Sequence, residues 1–267
     1  MFIDSHAHLY LEEFDYDREQ VIINAHNAGV GIIINAGIDP DSSQEAIKLA
    51  GAFPGLLATA GIHPQATSSA NYQSIEKIDM LAADTSVVAI GEIGLDYYRE
   101  TQSKDVQLQV FEDMLAIASV KKLPVVIHCR SAEEDTLKVL NKWSGRTRPV
   151  RGKWRGIRHC FSENLETALL YVDMGFMLSF GAYVGYPSSK NLCPVLEELP
   201  SDSFLLETDS PYLPLQKMRG KRNDSSYIPL IAETIASIRG ESISDVARNT
   251  TENARLIFGL DPSITII

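Results

Sequence analysis

The sequence predicts an α/β fold, a (β/α)8 TIM barrel whose single domain takes up residues 1–267. Eight short apolar runs alternate along the chain with segments that show the 3.6-residue period of helices. The runs are rich in Val and Ile and show little polar alternation, which is typical of strands covered on both faces of a parallel sheet. A length of 267 residues also suits this barrel, which commonly uses about 250 residues.

Each apolar run is short and bounded by polar or glycine-containing segments, as expected of buried strands. The predicted strands are residues 1–6, 30–36, 55–62, 86–92, 124–128, 155–160, 175–179 and 203–207. The predicted helices are residues 17–28, 41–51, 71–83, 104–122, 131–143, 164–173, 188–198, 225–239 and 242–257.

Residues suited to helix caps support these limits. Asp41 and Ser42 stand at the start of the second helix, Ser131 stands at the start of the fifth, and Gly29 and Gly51 follow helix ends. A doubly wound open sheet is the alternative, but no GxGxxG follows the first strand. The closed barrel is therefore the favoured architecture.

Composition limits the class of protein. A hydrophobic content of 45% with 22% charged residues provides for a large core. The cysteines Cys129, Cys160 and Cys193 show no CxxC spacing, which argues against a secreted disulfide framework. No signal-peptide pattern opens the sequence and no apolar run reaches membrane-spanning length, so we expect a cytoplasmic protein without a membrane partner. The net charge of −11 should repel polyanions unless basic groups or cations gather locally.

Histidines and carboxylates collect where the predicted strands end. In TIM barrels the active site lies at the carboxyl ends of the strands. Five of the six histidines lie at such ends, and only His26 falls in a predicted helix, where we expect it on the surface. The strand-end residues are His6, His8, His63, Glu92, His128, His159 and Asp209.

These residue types predict a metal centre. Excluding His63, the set has four imidazoles and two carboxylates, which exceeds one tetrahedral zinc site but suits two divalent cations, Mg²⁺, Mn²⁺ or Zn²⁺, that share a bridging carboxylate. Glu92 is placed to bridge. In a closed barrel the first and last strands are neighbours, so His6, His8 and Asp209 can bind one ion. His128 and His159, on the fifth and sixth strands, can bind the other.

Motifs along most of the chain resemble the TatD family of metal-dependent deoxyribonucleases. They are "DSHAHL" at 4–9, "GIHP" at 61–64, "GEIGLDYY" at 91–98, "LPVVIHCR" at 123–130, "HCFS" at 159–162, "ETDSPYL" at 207–213, "RGKRN" at 219–223 and "TTENARLIFG" at 250–259. The resemblance implies a barrel of the metallo-dependent hydrolase superfamily with one or two divalent metals. Its ligand positions correspond to His6, His8, Glu92, His128, His159 and Asp209. Two features depart from the family: the connection at 142–158 is longer, and Glu163 replaces a glycine.

The resemblance further implies hydrolysis of DNA phosphodiester bonds by a metal-activated water, working from a strand end as an exonuclease. Asp209 is expected to serve both as ligand and as acceptor of the water proton. The alternative is a hydrolase of a small amide, lactone or aminoacyl ester on the same barrel, which the acidic net charge favours. A binding protein with a vestigial site is disfavoured because every ligand position is present.

A phosphodiester substrate also needs donors outside the metals, and five residues are predicted to bind it: His63, Arg130, Arg219, Arg222 and Asn223. Glu207 is expected to orient a ligand, and Cys160 to face the helices. The basic segment at 146–158 precedes the sixth strand and is therefore expected on the opposite face of the barrel, as solvated surface. It contains Arg146, Arg148, Arg151, Lys153, Arg155 and Arg158.

Overall fold

The computed structural model describes residues 1–99 and 102–261 and confirms the predicted barrel. Eight strands form one sheet in the order β1 to β8, and each pairs in parallel with the next. The strands are β1 Phe2–Ala7, β2 Val30–Ala36, β3 Leu56–Ala60, β4 Val87–Asp96, β5 Val125–Arg130, β6 Gly156–Arg158, β7 Phe176–Phe180 and β8 Phe204–Leu206.

Nine α-helices in the described residues surround and close the barrel. They are α1 Arg18–Asn27, α2 Pro40–Ala52, α3 Tyr72–Leu81, α4 Lys104–Lys121, α5 Glu133–Ser144, α6 Leu165–Asp173, α7 Leu192–Glu198, α8 Ile228–Arg239 and α9 Ile243–Phe258. Three predicted cap residues are wrong, and one of them, Gly51, lies inside α2. Asp39, rather than Asp41, caps α2 by accepting from the Ser42 amide at 2.7 Å. Ser131 stands outside α5, which begins without a side-chain cap.

The apolar residues form two layers. One packs between the strands and the surrounding helices. The other fills the barrel interior with Ile3, Ile32 and Met177, and includes Ile257 and Phe258 of α9. Helix α9 lies at the amino-terminal end of the barrel and leaves the carboxyl end open for a site. In the described part of the chain, no helix is long and apolar enough to cross a membrane.

The barrel is closed between β1 and the segment after β8. The Asp209 amide donates to the His6 carbonyl at 2.9 Å, and the His8 amide donates to the Ser210 carbonyl at 2.8 Å. Beneath them, the buried Asp4 carboxylate accepts from the Thr208 amide at 2.9 Å and hydroxyl at 2.6 Å. Burial raises the pKa of Asp4 to about 7 although these hydrogen bonds lower it. This closure places Asp209 beside the two histidines of β1.

Several strands differ in length from the prediction, and the differences in β4 and β6 have consequences for the site. β4 continues past residue 92 to Asp96 because Gly94 pairs closely with β5: a Cβ on Gly94, whose φ is +138°, would lie 1.9 Å from the His128 carbonyl oxygen. β6, predicted at 155–160, ends at Arg158 because the chain turns at Cys160, whose φ is +49°.

Candidate metal centre and its cavity

A cavity of about 840 Å³ opens at the carboxyl ends of the strands, as the sequence predicts. Glu92 of β4 lies at its floor, 4% exposed. The carboxylate is surrounded by imidazoles from four other strands or strand ends, because the barrel directs the end of each strand towards one mouth. They are His6, His8, His63, His128 and His159.

The Oε1 atom of Glu92 faces three histidines. His128 Nδ1 lies 2.8 Å from it, His159 Nε2 2.9 Å and His63 Nε2 3.3 Å. His63, predicted as a substrate contact, therefore lies among the candidate ligands. Glu92, His63 and His128 form one group whose ligand atoms all lie within 4.8 Å of one another.

The Oε2 atom of Glu92 faces β1. His6 Nε2 lies 3.3 Å from it and His8 Nε2 3.9 Å. Asp209 completes this side, with Oδ1 at 3.3 Å from His8 Nε2 and 3.7 Å from His6 Nε2. His6, His8 and Asp209 form a second group within 4.8 Å. The two oxygens of Glu92 thus face different sets of imidazole nitrogens, so this carboxylate could contact two cations at once.

The donor set fits divalent cations. The Nε2 atoms of His6 and His8 lie 3.2 Å apart, and the rings of His6 and His159 stack at 3.9 Å. Imidazole nitrogens and carboxylate oxygens this close together are the ligands that zinc and similar metals take, and a bound cation displaces the protons that the imidazoles otherwise carry. A third group with ligand geometry joins His6, His159 and Glu207.

Burial and charge shift the pKa values of the cluster in opposite directions. Burial raises the pKa of Glu92, but the charges of His159, His63 and His6 and the hydrogen bond to His128 lower it overall to well below its usual range. Burial lowers the pKa of His159, but Glu92 and Glu207 raise it overall to well above 6.5. The pKa of Asp209 is lowered overall by His8, His159 and His6 against the effect of burial. Both carboxylates are therefore ionised at neutral pH.

Side chains behind the cluster orient the ligands. Glu207 lies 3.4 Å from His159 Nδ1 through Oε2, a position that its predicted role requires, while its Oε1 accepts from the Cys160 amide at 2.7 Å. His8 Nδ1 lies 2.9 Å from the Ala36 carbonyl oxygen. Such contacts fix the ring that a metal needs.

Asp96 is a further orienting carboxylate that the sequence prediction missed. Its Oδ2 lies 3.3 Å from His128 Nε2 and accepts from Gln65 Nε2 at 3.0 Å. Asp96 lies four residues after Glu92 on one strand, and this spacing places the two side chains on the same face. The pattern could have revealed it had the strand been extended to residue 96.

Two of the predicted substrate contacts lie at the cavity mouth. Arg130 lines the cavity, and its guanidinium lies 3.9 Å from the ring centroid of Tyr98. Arg219 lies 5.3 Å from the ring of Tyr186, which lines the cavity. The cavity is also lined by Arg99, a residue that the prediction missed because it follows the end of β4 by three residues.

Arg222 and Asn223, two of the predicted substrate contacts, are held by other parts of the protein. Arg222 donates to both carboxylate oxygens of Asp17 at 2.8 and 2.7 Å and also contacts the Glu13 carbonyl. Asn223 is buried and its amide donates to the Thr208 and Tyr212 carbonyls at 2.8 Å. Protein partners satisfy both side chains, so they shape the loop after β8.

Two residues around β6 also depart from the prediction. Arg158 is 1% exposed and borders the cavity, so it is no part of a solvated basic surface. Cys160 lines the cavity instead of facing only the helices, because its positive φ breaks the strand alternation. Arg146, Arg148 and Lys153 are exposed, as the prediction for that segment requires.

The parallel barrel and its histidine–carboxylate cluster define a metal-dependent hydrolase. A sequence profile described as "TatD related DNase" matches residues 3–259. The chain belongs to the TatD family.

Individual relatives agree with this assignment. The uncharacterized metal-dependent hydrolase YabD of Bacillus subtilis is 36% identical over 98% of this chain and 100% of its own. A 3′-5′ ssDNA/RNA exonuclease TatD of Pectobacterium carotovorum is 36% identical over 96% of this chain and 99% of its own. The crystal structure of YjjV, a TatD homolog from Escherichia coli, superimposes with a TM-score of 0.90 at 28% identity, covering 97% of this chain and 98% of that one.

Proposed function

We propose that this protein is a divalent-metal-dependent deoxyribonuclease that removes nucleotides from a DNA strand end. The observation that carries the proposal is the pairing, in one cavity, of the histidine–carboxylate cluster with the guanidinium groups of Arg99 and Arg130. Arginine binds phosphate oxygens through several N–H donors. The name of the Pectobacterium relative, a 3′-5′ ssDNA/RNA exonuclease, supports the same class of substrate.

The residues would hold two cations, one on each side of Glu92. His6, His8 and Asp209 would hold one, and His128 and His159, with His63 beside them, the other. Bound divalent cations supply an activated water and neutralise the charge that develops on a phosphate under attack. Asp209 would accept the proton of the attacking water, because its carboxylate is ionised and is directed into the cavity.

Positive charge at the cavity mouth would allow DNA to bind there although the net charge of the chain is −11. Among the described residues, no carboxylate forms an ion pair with Arg130, whose charge is held at the mouth by Tyr98. A strand that approaches this rim meets arginines first, and Tyr212, 50% exposed on the rim, offers a ring on which a base can stack. The rest of the acidic surface favours a single correctly placed strand end over non-specific binding.

Replacing Arg99 and Arg130 distinguishes a nuclease from the alternative, a hydrolase of small amides or esters. That alternative is supported by the overall acidity of the chain. We expect the double variant Arg99→Ala/Arg130→Ala to bind a labelled DNA strand on the order of tenfold more weakly or worse, with a flatter salt dependence. Fluorescence anisotropy over a series of salt concentrations measures both.

The matched control is Lys48→Ala/Arg248→Ala, which removes the same charge from exposed side chains on α2 and α9. It should bind DNA nearly as the wild type does. Equal binding by the wild type and the Arg99/Arg130 variant, at every salt concentration, would show that phosphate is not held at this rim and would favour the small-substrate alternative.

Metal affinity should rise with pH. Protons compete with metal for imidazole nitrogens. Because the pKa values of His8 and His159 are raised above 6.5, these two rings keep their protons to a higher pH than a free histidine does, and metal binding must displace those protons. In the metal-free protein the protonated His159 stabilises the fold below pH 6.5, and this contribution is lost as pH rises through its raised pKa. Calorimetric titration with Mn²⁺ on both sides of pH 6.5 should show tighter binding and fewer released protons at high pH. An affinity that does not change with pH would argue that these imidazoles are not ligands.

A further inference from the structure

A buried arginine bonds the ends of β5 and β6 next to two of the candidate ligands. Arg158, the last residue of β6, borders the cavity beside Glu133 of α5, with 1% of its surface exposed. Its Nη2 donates to the Cys129 carbonyl at 2.8 Å, and its Nη1 donates to the His159 carbonyl. One of these carbonyls belongs to the residue after His128 and the other to His159 itself.

In the described chain, main-chain hydrogen bonds do not join these two strand ends beyond Ile127 and His159. The pairing of β5 with β6 ends at Ile127 and Arg158, and the final main-chain bond joins the His159 amide to the Ile127 carbonyl at 3.0 Å. Beyond this point the chain turns away at Cys160. β5 continues for three residues, paired only with β4 on its other side. The Arg158 guanidinium therefore supplies the hydrogen bonds between the two strand ends that the main chain does not make.

The two strand ends carry the imidazoles that converge on one oxygen. His128 Nδ1 and His159 Nε2 lie 2.8 and 2.9 Å from Glu92 Oε1. A change in the spacing of the strand ends would move these nitrogens relative to each other. It would leave His6, His8 and Asp209 in place, because their backbone is fixed by the bonds that close the barrel between residues 6–8 and 209–210.

We infer that Arg158 is a positioning residue that sets the affinity of the ion held by His128 and His159, and that it acts through the Cys129 and His159 carbonyls. The guanidinium suits this position because it is planar and spans two acceptors at once. Its carboxylate neighbour Glu133 lies farther away, at 3.7 Å, so the two carbonyls are its closer partners. The inference rests on the proposed metal centre.

The test is a titration of the metal-free protein with Co²⁺, followed by calorimetry and by the visible absorption of the bound ion. The wild type is expected to bind two ions. Arg158→Met should bind one of them about 10- to 100-fold more weakly, the range typical when an outer-shell partner of a ligand is lost, with a changed absorption spectrum, and should bind the other with unchanged affinity. Arg158→Lys, which can still donate to at least one carbonyl, should fall between the two.

Arg239 provides a matched control. Its side chain is also largely enclosed, at 6% exposed. Its Nη1 donates to the Leu199 carbonyl at 2.9 Å and to the Leu196 carbonyl, and its Nη2 pairs with Glu241 at 2.8 Å, but it lines no part of the cavity. Arg239→Met should lower thermal stability while both ions bind as in the wild type. This control distinguishes positioning from a general loss of a buried arginine.

Each outcome bears on a different claim. Wild-type affinity and spectrum for both ions in Arg158→Met would overturn the inference, and so would equal weakening of both ions in the Arg158 and Arg239 variants. If Arg158→Met does not fold, Arg158→Lys decides in the same way. A wild-type protein that binds no Co²⁺ would instead refute the metal centre on which the proposed function depends.

Discussion

Replacing Asp209 with Asn should lower the turnover of DNA on the order of a hundredfold or more. The amide keeps the size of the side chain but loses the negative charge that the ion beside His6 and His8 would need, and it cannot accept a proton from water. Asp209 has a φ of +54°, a conformation that Asn adopts readily, so the backbone should not change. Single-turnover cleavage of an end-labelled strand at saturating metal measures the loss.

Asp202→Asn is the control for this experiment. Asp202 is an exposed carboxylate paired with Lys153 at 2.9 Å, and it lines no part of the cavity. This variant should retain wild-type turnover and melting behaviour. If Asp209→Asn cleaved DNA at close to the wild-type rate, Asp209 would be neither the proton acceptor nor a required ligand.

Replacing Glu92 with Gln should have the larger effect on metal content. Both oxygens of Glu92 face imidazole nitrogens, and the substitution gives one side an N–H₂ group that cannot bind a cation. The loss of a shared negative ligand should weaken both ions, by at least the 10- to 100-fold seen when outer-shell partners are removed. Elemental analysis after dialysis against metal, together with turnover, gives the two readouts.

Glu112→Gln offers the matching control, because Glu112 is an exposed glutamate on α4 that pairs with Lys142 at 2.8 Å. Its metal content should equal that of the wild type. Retention of two ions per chain by Glu92→Gln would contradict the bridging arrangement, even if turnover were low.

The fold was predictable because the barrel repeats one simple pattern. Runs such as 30–36 and 124–128 are apolar on both faces, and only a strand covered inside and outside the barrel has that composition. The limits of β4 and β6 were not predictable in the same way. From the sequence alone, Gly94 would be expected to end a strand. In the structure, its lack of a side chain allows the close approach of His128 that lengthens β4. No residue pattern in the sequence predicts the turn at Cys160.

The candidate ligands were predictable because TIM barrels direct strand ends towards one mouth, so position along the chain predicts position in space. Side chains outside the strands follow no such rule. Arg222 and Asn223 lie in the loop after β8, where their partners are set by tertiary contacts with Asp17 and with the Thr208 carbonyl. Arg158 was grouped with its basic neighbours in sequence, whereas in the fold it is buried at the end of β6 and its guanidinium donates to the Cys129 carbonyl.

The most direct test of a two-ion nuclease is the cleavage of a DNA strand labelled at one end, with products resolved by length over time. Metal-free protein should leave the strand intact, and addition of Mn²⁺ or Mg²⁺ should produce progressive shortening by single nucleotides, absent in Asp209→Asn and slowed in Arg99→Ala/Arg130→Ala. Fully metal-loaded wild-type protein that left DNA labelled at either end intact, while it hydrolysed small amides or esters, would contradict the assignment as a nuclease.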